Sequence, residues 1–204
     1  MPMIKEYNIL ISSVGGQGGV TLARIISEAA VSQGLRVRVG ETLGMAQRGG
    51  SVQSHVRLGE NVYGPLIPRG RSDVLLSLEP AEALRVVKYI GRRTTVIMNT
   101  FPMLPISVML KEATYPRIED ITRRLTEIGG KTYTIDATEL AKEAGAPESL
   151  NIVMLGCYMA LGEQVLRLGV VMDAISSNMR GRNLEGNLRA FEMGMSKMKE
   201  LISK

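Results

Sequence analysis

The sequence contains one cysteine, Cys157, and one histidine, His55. A lone thiol cannot build a disulfide framework and fits a reducing, cytoplasmic setting. It also falls short of the four thiolates that an iron–sulfur cluster normally takes. One histidine excludes a histidine-rich metal centre. No G-x-S-x-G elbow accompanies it, which argues against a serine hydrolase. Tryptophan is absent, and with 2 Phe and 6 Tyr there is little to stack single-stranded nucleic acid. The N-terminus carries Lys5 and Glu6 but no apolar run of the signal-peptide kind. The most apolar stretch, Ile152 to Gly162, ends at Glu163 and is too short to span a bilayer. A soluble cytoplasmic chain with no membrane partner is therefore expected.

What is present describes an ordinary globular chain. At 204 residues, with 45% apolar and 22% charged positions, one domain over 1–204 is expected. A chain of this size buries roughly 70% of its unfolded surface and needs no staples. The formal charge of +5 suits a phosphate-bearing ligand, nucleic acid or an acidic partner chain without choosing among them. Arg92-Arg93, Arg123-Arg124 and Arg180/Arg182 are dispersed along the chain, so a nucleic-acid surface would need them to converge in space.

Tyr7 to Ser13 reads as a buried strand, and Gly15-Gly16-Gln17-Gly18-Gly19 follows it directly. Val20 to Gln33 then has helical spacing, with Leu22, Ile25, Ile26, Ala29 and Ala30 on one face and Gly34 as the stop. Leu35 to Val39 returns as a strand, completing a βαβ unit. An irregular loop is expected from Glu41 to Gly50, then a strand from Ser51 to Leu58. That strand alternates: Val52, Ser54, Val56 and Leu58 on one face, Gln53, His55 and Arg57 on a second, solvated or partner-facing one. Gly59-Glu60-Asn61 reads as a hairpin turn. Strands follow at Asp73–Leu78, Thr94–Met98 and Thr132–Ile135, with helices at Pro80–Ile90 and Ile118–Ile128 and helical structure from about Glu139 onward. The pattern predicts a three-layer α/β/α domain with a mostly parallel sheet, one antiparallel excursion and a helical C-terminal part. Leu150 to Leu161 is apolar around more than one helical face, either as a subunit contact or as the central helix of the domain.

The glycine loop sits where backbone N–H groups and a helix N-terminus can hold a phosphate. Gly16 and Gly18 fit the first two glycines of a dinucleotide fingerprint, Thr21 stands at the third, and Glu41 follows at the distance of a ribose-binding acid. A free-standing NAD(P)-binding oxidoreductase is thus one reading. A tight turn that merely needs small residues is another, and a different phosphate ligand a third. Gly15–Gly19, Thr42–Gly50, Glu79-Pro80 and Asn99–Pro102 should gather at one edge of the sheet, with Arg48, between Gln47 and Gly49-Gly50, either as the cation that meets an anionic group or as a surface arginine in a flexible loop.

Gly15-Gly16-Gln17-Gly18 together with Gly44-Met45-Ala46-Gln47-Arg48-Gly49-Gly50-Ser51-Val52 resembles the smaller subunit of the 2-oxoacid:ferredoxin oxidoreductases, and within that family the beta subunit of the indolepyruvate enzyme. Ser54-His55-Val56-Arg57, the stretch Asp73 to Pro80 with Glu82-Ala83-Leu84, and Asn151 with Leu155-Gly156 extend the resemblance over most of the chain. It implies a subunit, inactive alone, of an enzyme that oxidatively decarboxylates a 2-oxoacid with coenzyme A, giving acyl-CoA, carbon dioxide and reduced ferredoxin. Thiamine diphosphate, Mg and the iron–sulfur clusters would then sit on a larger partner chain, since this one has a single cysteine and no Gly-Asp-Gly motif. The resemblance associates this domain with coenzyme A and adds weight to phosphate binding at Gly16 and Gly18, within the candidate cofactor-binding set Gly15, Gly16, Gln17, Gly18, Gly19, Gln47, Arg48, Gly49 and Gly50. It assigns no catalytic residue.

Overall fold

The computed structural model describes residues 4–43, 49–162, 165–179 and 183–203. They form a six-stranded sheet in the order β2-β3-β1-β4-β5-β6, with β1 Tyr7–Val14, β2 Val37–Leu43, β3 Ser51–Leu58, β4 Val74–Ser77, β5 Thr95–Asn99 and β6 Thr132–Ile135. The β1–β4, β4–β5 and β5–β6 pairings are parallel, whereas β3 runs antiparallel to both β1 and β2. Only β3 is therefore reversed.

Helices cover both faces. Ile9 and Ile11 of β1 belong to one core with α1 (Gly19–Ser32), α5 (Ala137–Glu143), α6 (Leu150–Met159), α7 (Leu168–Asn178) and α8 (Leu184–Ile202). Leu10, pointing the other way, belongs to a second core with α2 (Pro80–Arg85) and α4 (Ile118–Ile128). A strand covered on both sides is apolar at consecutive positions, which is why Ile9-Leu10-Ile11 shows no alternation. The three-layer α/β/α architecture is the one expected. In α1 the five apolar positions read from the spacing are all buried. Gly34, at φ 82°, ends the helix: its N–H bonds Val31 O while the Leu35 N–H bonds Ala30 O.

Four local expectations change. The second strand starts two residues later and runs through Glu41 to Leu43, because it pairs along its length with β3 (Glu41 opposite Ser54). No hairpin forms at Gly59. The Gly59, Glu60 and Asn61 N–H groups instead bond the Arg36, Ile4 and Lys5 carbonyls, and residues 62–73 form no strand. The supposedly solvated face of β3 is closed: His55 is fully buried and Arg57 nearly so. Arg57 donates to Asn8 Oδ1, to the Gly64 and Leu66 carbonyls and to Glu6. The helix begun at Pro80 stops at Arg85 and continues as a 3₁₀ turn over Val87–Tyr89, where the Lys88 and Tyr89 carbonyls accept from Gly70 and Ser72. A further helical turn, α3 (Ile106–Met109), lies in the proline-bearing loop after β5.

All ten residues of α6 are buried within the chain. This decides for the central-helix reading of that segment. Gly156 and Gly194 are the reason α8 fits against it. A Cβ on Gly156 would overlap the Phe191 carbonyl, and one on Gly194 the Val153 carbonyl, so each helix presses its backbone into a notch in the other.

Candidate ligand cleft at the sheet edge

The strand order changes direction between β1 and β4. From β1 the chain moves through α1 toward β2 on one side; from β4 it moves through α2, β5 and α4 toward β6 on the other. Loops leaving the carboxyl ends of such neighbouring strands part and leave a crevice. Here Gln17 bridges it. Its Oε1 accepts from Val14 N at 2.8 Å, and its Nε2 donates to Leu78 O at 3.2 Å. Asn99 Nδ2 also donates to Leu78 O, and Asn99 Oδ1 accepts from Ala137 N, tying the ends of three strands together.

Each glycine in the loop has its own task. Gly16, at φ 106°, has nothing within 4 Å of a would-be Cβ and is open. Gly18, at φ 80°, lies against the Asn151 amide, whose nitrogen would stand 2.7 Å from a Cβ and which donates to Gly18 O. Gly19 packs on Ser13 with no room for a side chain. Gly15 forms a two-way bridge, its N–H to Gly50 O and its carbonyl from Gly49 N. Gly49 and Gly50 thus brace the loop. Gln47 and Arg48 lie outside the described residues.

Beside this loop opens a cleft of about 1290 Å³. Its walls are Gly16–Gly18 and Thr21 at the start of α1, Phe101 to Leu104 after β5, and Gly145 to Asn151 leading into α6. Asn183 and Asn187 at the start of α8 close it. The first turns of α1, α6 and α8 therefore all border one space, which favours negative charge there. Asn183 caps α8 by accepting from Gly186 N; Ser149, just before α6, is bound instead to Asn187. Among the described residues the lining includes a single charged side chain, the exposed Glu148.

The expected quartet of segments is met in part. The glycine loop and the 101–102 end of Asn99–Pro102 line the cleft, but Glu79-Pro80 does not. Glu79 is buried below, capping α2 through Glu82 N and accepting from Met103 N and the Tyr115 hydroxyl. Burial and the Glu79 carboxylate push the Tyr115 phenol well above its ordinary value. The walls at 145–151 and 183–187 were not expected. Their signals were Ser149 ahead of the apolar run and Asn183 three residues before Gly186, both helix-start residues.

Glu41 does not reach the loop as a ribose-binding acid. In the dinucleotide arrangement the strand carrying it neighbours β1; here β3 lies between, and Glu41 is on β2. His55 borders the second core, its Nδ1 accepting from Ile67 N and its ring edge-on to Tyr89. Burial, with help from Lys88 and Arg57, lowers its pKa to about 4. Burial pushes the Cys157 thiol up to about 12. That donor does not fit a cluster, and among the described residues no three His, Cys, Asp or Glu side chains gather as metal ligands. Arg123 and Arg124 are paired with Asp120 and Glu127, while Arg92 and Arg93 border a separate crevice of about 470 Å³ with Asp73. Arg180 and Arg182 lie outside the described residues. No described helix is long and apolar enough to cross a membrane.

The family model for pyruvate ferredoxin/flavodoxin oxidoreductase matches residues 8–197. The chain is 40% identical over 200 residues to the indolepyruvate oxidoreductase subunit IorB of Thermococcus kodakarensis, covering 98% of this chain and 99% of that one. The solved gamma subunit of a keto/oxoacid ferredoxin oxidoreductase from Geobacter sulfurreducens shares the fold at TM-score 0.69 and 24% identity, with 94% and 98% of the two chains covered. The 2-oxoglutarate:ferredoxin oxidoreductase of Magnetococcus marinus, solved with 2-oxoglutarate, coenzyme A and succinyl-CoA bound, shares it at TM-score 0.73 and 21% identity. There the match covers 97% of this chain but 32% of that longer one. A family match over nearly the whole length, on the architecture just described, places the chain in the pyruvate ferredoxin/flavodoxin oxidoreductase family as a small subunit of the 2-oxoacid:ferredoxin oxidoreductase type.

Proposed function

We propose that this chain is a single module that holds coenzyme A in the cleft beside Gly16, while a larger partner subunit carries thiamine diphosphate, Mg and the iron–sulfur clusters. The assembled enzyme would oxidise an aryl 2-oxoacid of the indolepyruvate kind to its acyl-CoA and pass the electrons to ferredoxin. The observation that carries the coenzyme A reading is the meeting of three helix N-termini and an open glycine on one cleft. Backbone N–H groups and aligned peptide dipoles attract a phosphate without a lysine. The Magnetococcus enzyme, solved with coenzyme A, supports the reading through the shared fold. The aryl preference draws on the indolepyruvate relative.

Thr21 tests it better than Gly18, whose replacement would collide with Asn151. Thr21→Glu in the assembled enzyme puts a carboxylate at the first turn of α1 facing the cleft. It should raise the KM for coenzyme A about tenfold or more, the loss of roughly 1.4 kcal/mol, and change the KM for the 2-oxoacid little. Thr21→Gln should stay near wild type. An unchanged coenzyme A requirement, or an equal rise for both substrates, would defeat the assignment.

A further inference from the structure

With α6 inside the chain, the surface that meets the rest of the enzyme must lie elsewhere, and the segment after β5 has the matching chemistry. Phe101, Met103, Leu104, Ile106, Met109 and Leu110 are 44–75% exposed, and residues 101–110 contain no charged side chain. These six are nearly half of the thirteen large apolar side chains exposed among the described residues. None belongs to either core. Scattered exposed apolar residues are normal, but a contiguous group is a mark of an interaction site.

The segment is built and braced. Glu79 holds it at Met103 N and Tyr115 Oη, Thr100 N bonds Ile135 O, and α3 with the Glu112 N–H to Ser107 O closes its interior. Its backbone is therefore fixed while its side chains face outward. A loop that only connects β5 to α4 has no physical reason to hold methionine, isoleucine and leucine in water. Aromatic, aliphatic and methionine side chains without charge are the composition of a buried interface centre.

We infer that residues 101–110 form the seat of the larger subunit. This rests on the function proposed above, and position argues for that occupant. Phe101 to Leu104 also form one wall of the cleft, so a chain seated on 101–110 stands at its mouth. A ligand held in the cleft can meet chemistry carried by another subunit only if that subunit reaches the mouth. The same fold occurs as 32% of a longer solved chain, with the rest of that chain available as a neighbour.

The test uses the complex made by co-producing this chain with the larger subunit. Hydrogen exchange at residues 104–112 should slow by at least about tenfold on assembly. Ile106→Glu with Met109→Glu should leave the isolated chain's melting temperature unchanged and weaken assembly roughly 100-fold or more. Val31→Glu, at a position 62% exposed on α1, should assemble as wild type. Assembly with 104–112 unprotected, or normal assembly of the double variant, would overturn this seat and leave the cleft proposal standing. A self-association of the wild-type chain that the double variant abolishes, with heteromeric assembly intact, would assign the surface to a second copy and equally overturn it. Failure of the wild-type chain to assemble would overturn both proposals.

Discussion

His55 sits fully buried beneath residues 62–73 and against Tyr89, with no carboxylate partner among the described residues. Its pKa falls from the ordinary 6.5 to about 4, chiefly through burial. Below pH 6.5 the unfolded chain binds a proton that the folded chain refuses, so stability is full above that pH and declines as pH falls toward 4. The total loss is on the order of 3 kcal/mol, at most about 1.4 per pH unit. Between pH 6.5 and 5 ordinary carboxylates remain ionised, and Asp73, whose carboxyl burial pushes up, acts with the opposite sign by favouring the fold as pH falls. The decline in that window therefore belongs to His55, the one histidine. Urea titrations at stepped pH should show the decline in the wild type and lose it in His55→Gln. Glu79 also has several structural duties. Glu79→Ala removes the α2 cap and the acceptor for Met103 N and Tyr115, which should cost about 3 kcal/mol and speed amide exchange at Met103.

At the scale of elements, α6 and α8 cross backbone to backbone through Gly156 and Gly194. An alanine at either would meet backbone, which cannot rotate away as a side chain can. Gly156→Ala and Gly194→Ala should each destabilise by about 3 kcal/mol or more, and thermal melts would show it. The same crossing explains why an apolar helix resembled a subunit contact. Burial on several sides reads alike from either cause, and only the position of α8 separates them. The polar row of β3 failed to read as buried for a related reason. Arg57 pairs with Glu6, 51 residues away, and nothing within the strand's own alternation announces that partner.

At the scale of the whole molecule, the chain supplies a cleft and the proposed seat. The purified chain should be colourless and should not reduce viologen with any 2-oxoacid. Adding the larger subunit should restore coenzyme A-dependent reduction. Turnover by the chain alone would contradict the division of labour. The reversed β3 also has a consequence at this scale. By standing between β1 and β2 it moves Glu41 away from the glycine loop, and a nucleotide ribose loses the acid that the sequence spacing offered.

The sequence by itself determined the layered α/β class, the limits of α4 and β6, the stop at Gly34 and the glycine loop after β1. Those features rest on local periods and on backbone angles that few residues adopt, and both are written in consecutive positions. It also determined the family, through the loop at 15–18 and the run at 44–52. The tertiary structure decided the order of the strands, the burial of His55 and Arg57, and the inward placement of α6. It alone brought residues 145–151 and 183–187 to Gly16. Each of those outcomes depends on contacts between segments dozens of residues apart, where packing geometry chooses among pairings that local pattern leaves equally open.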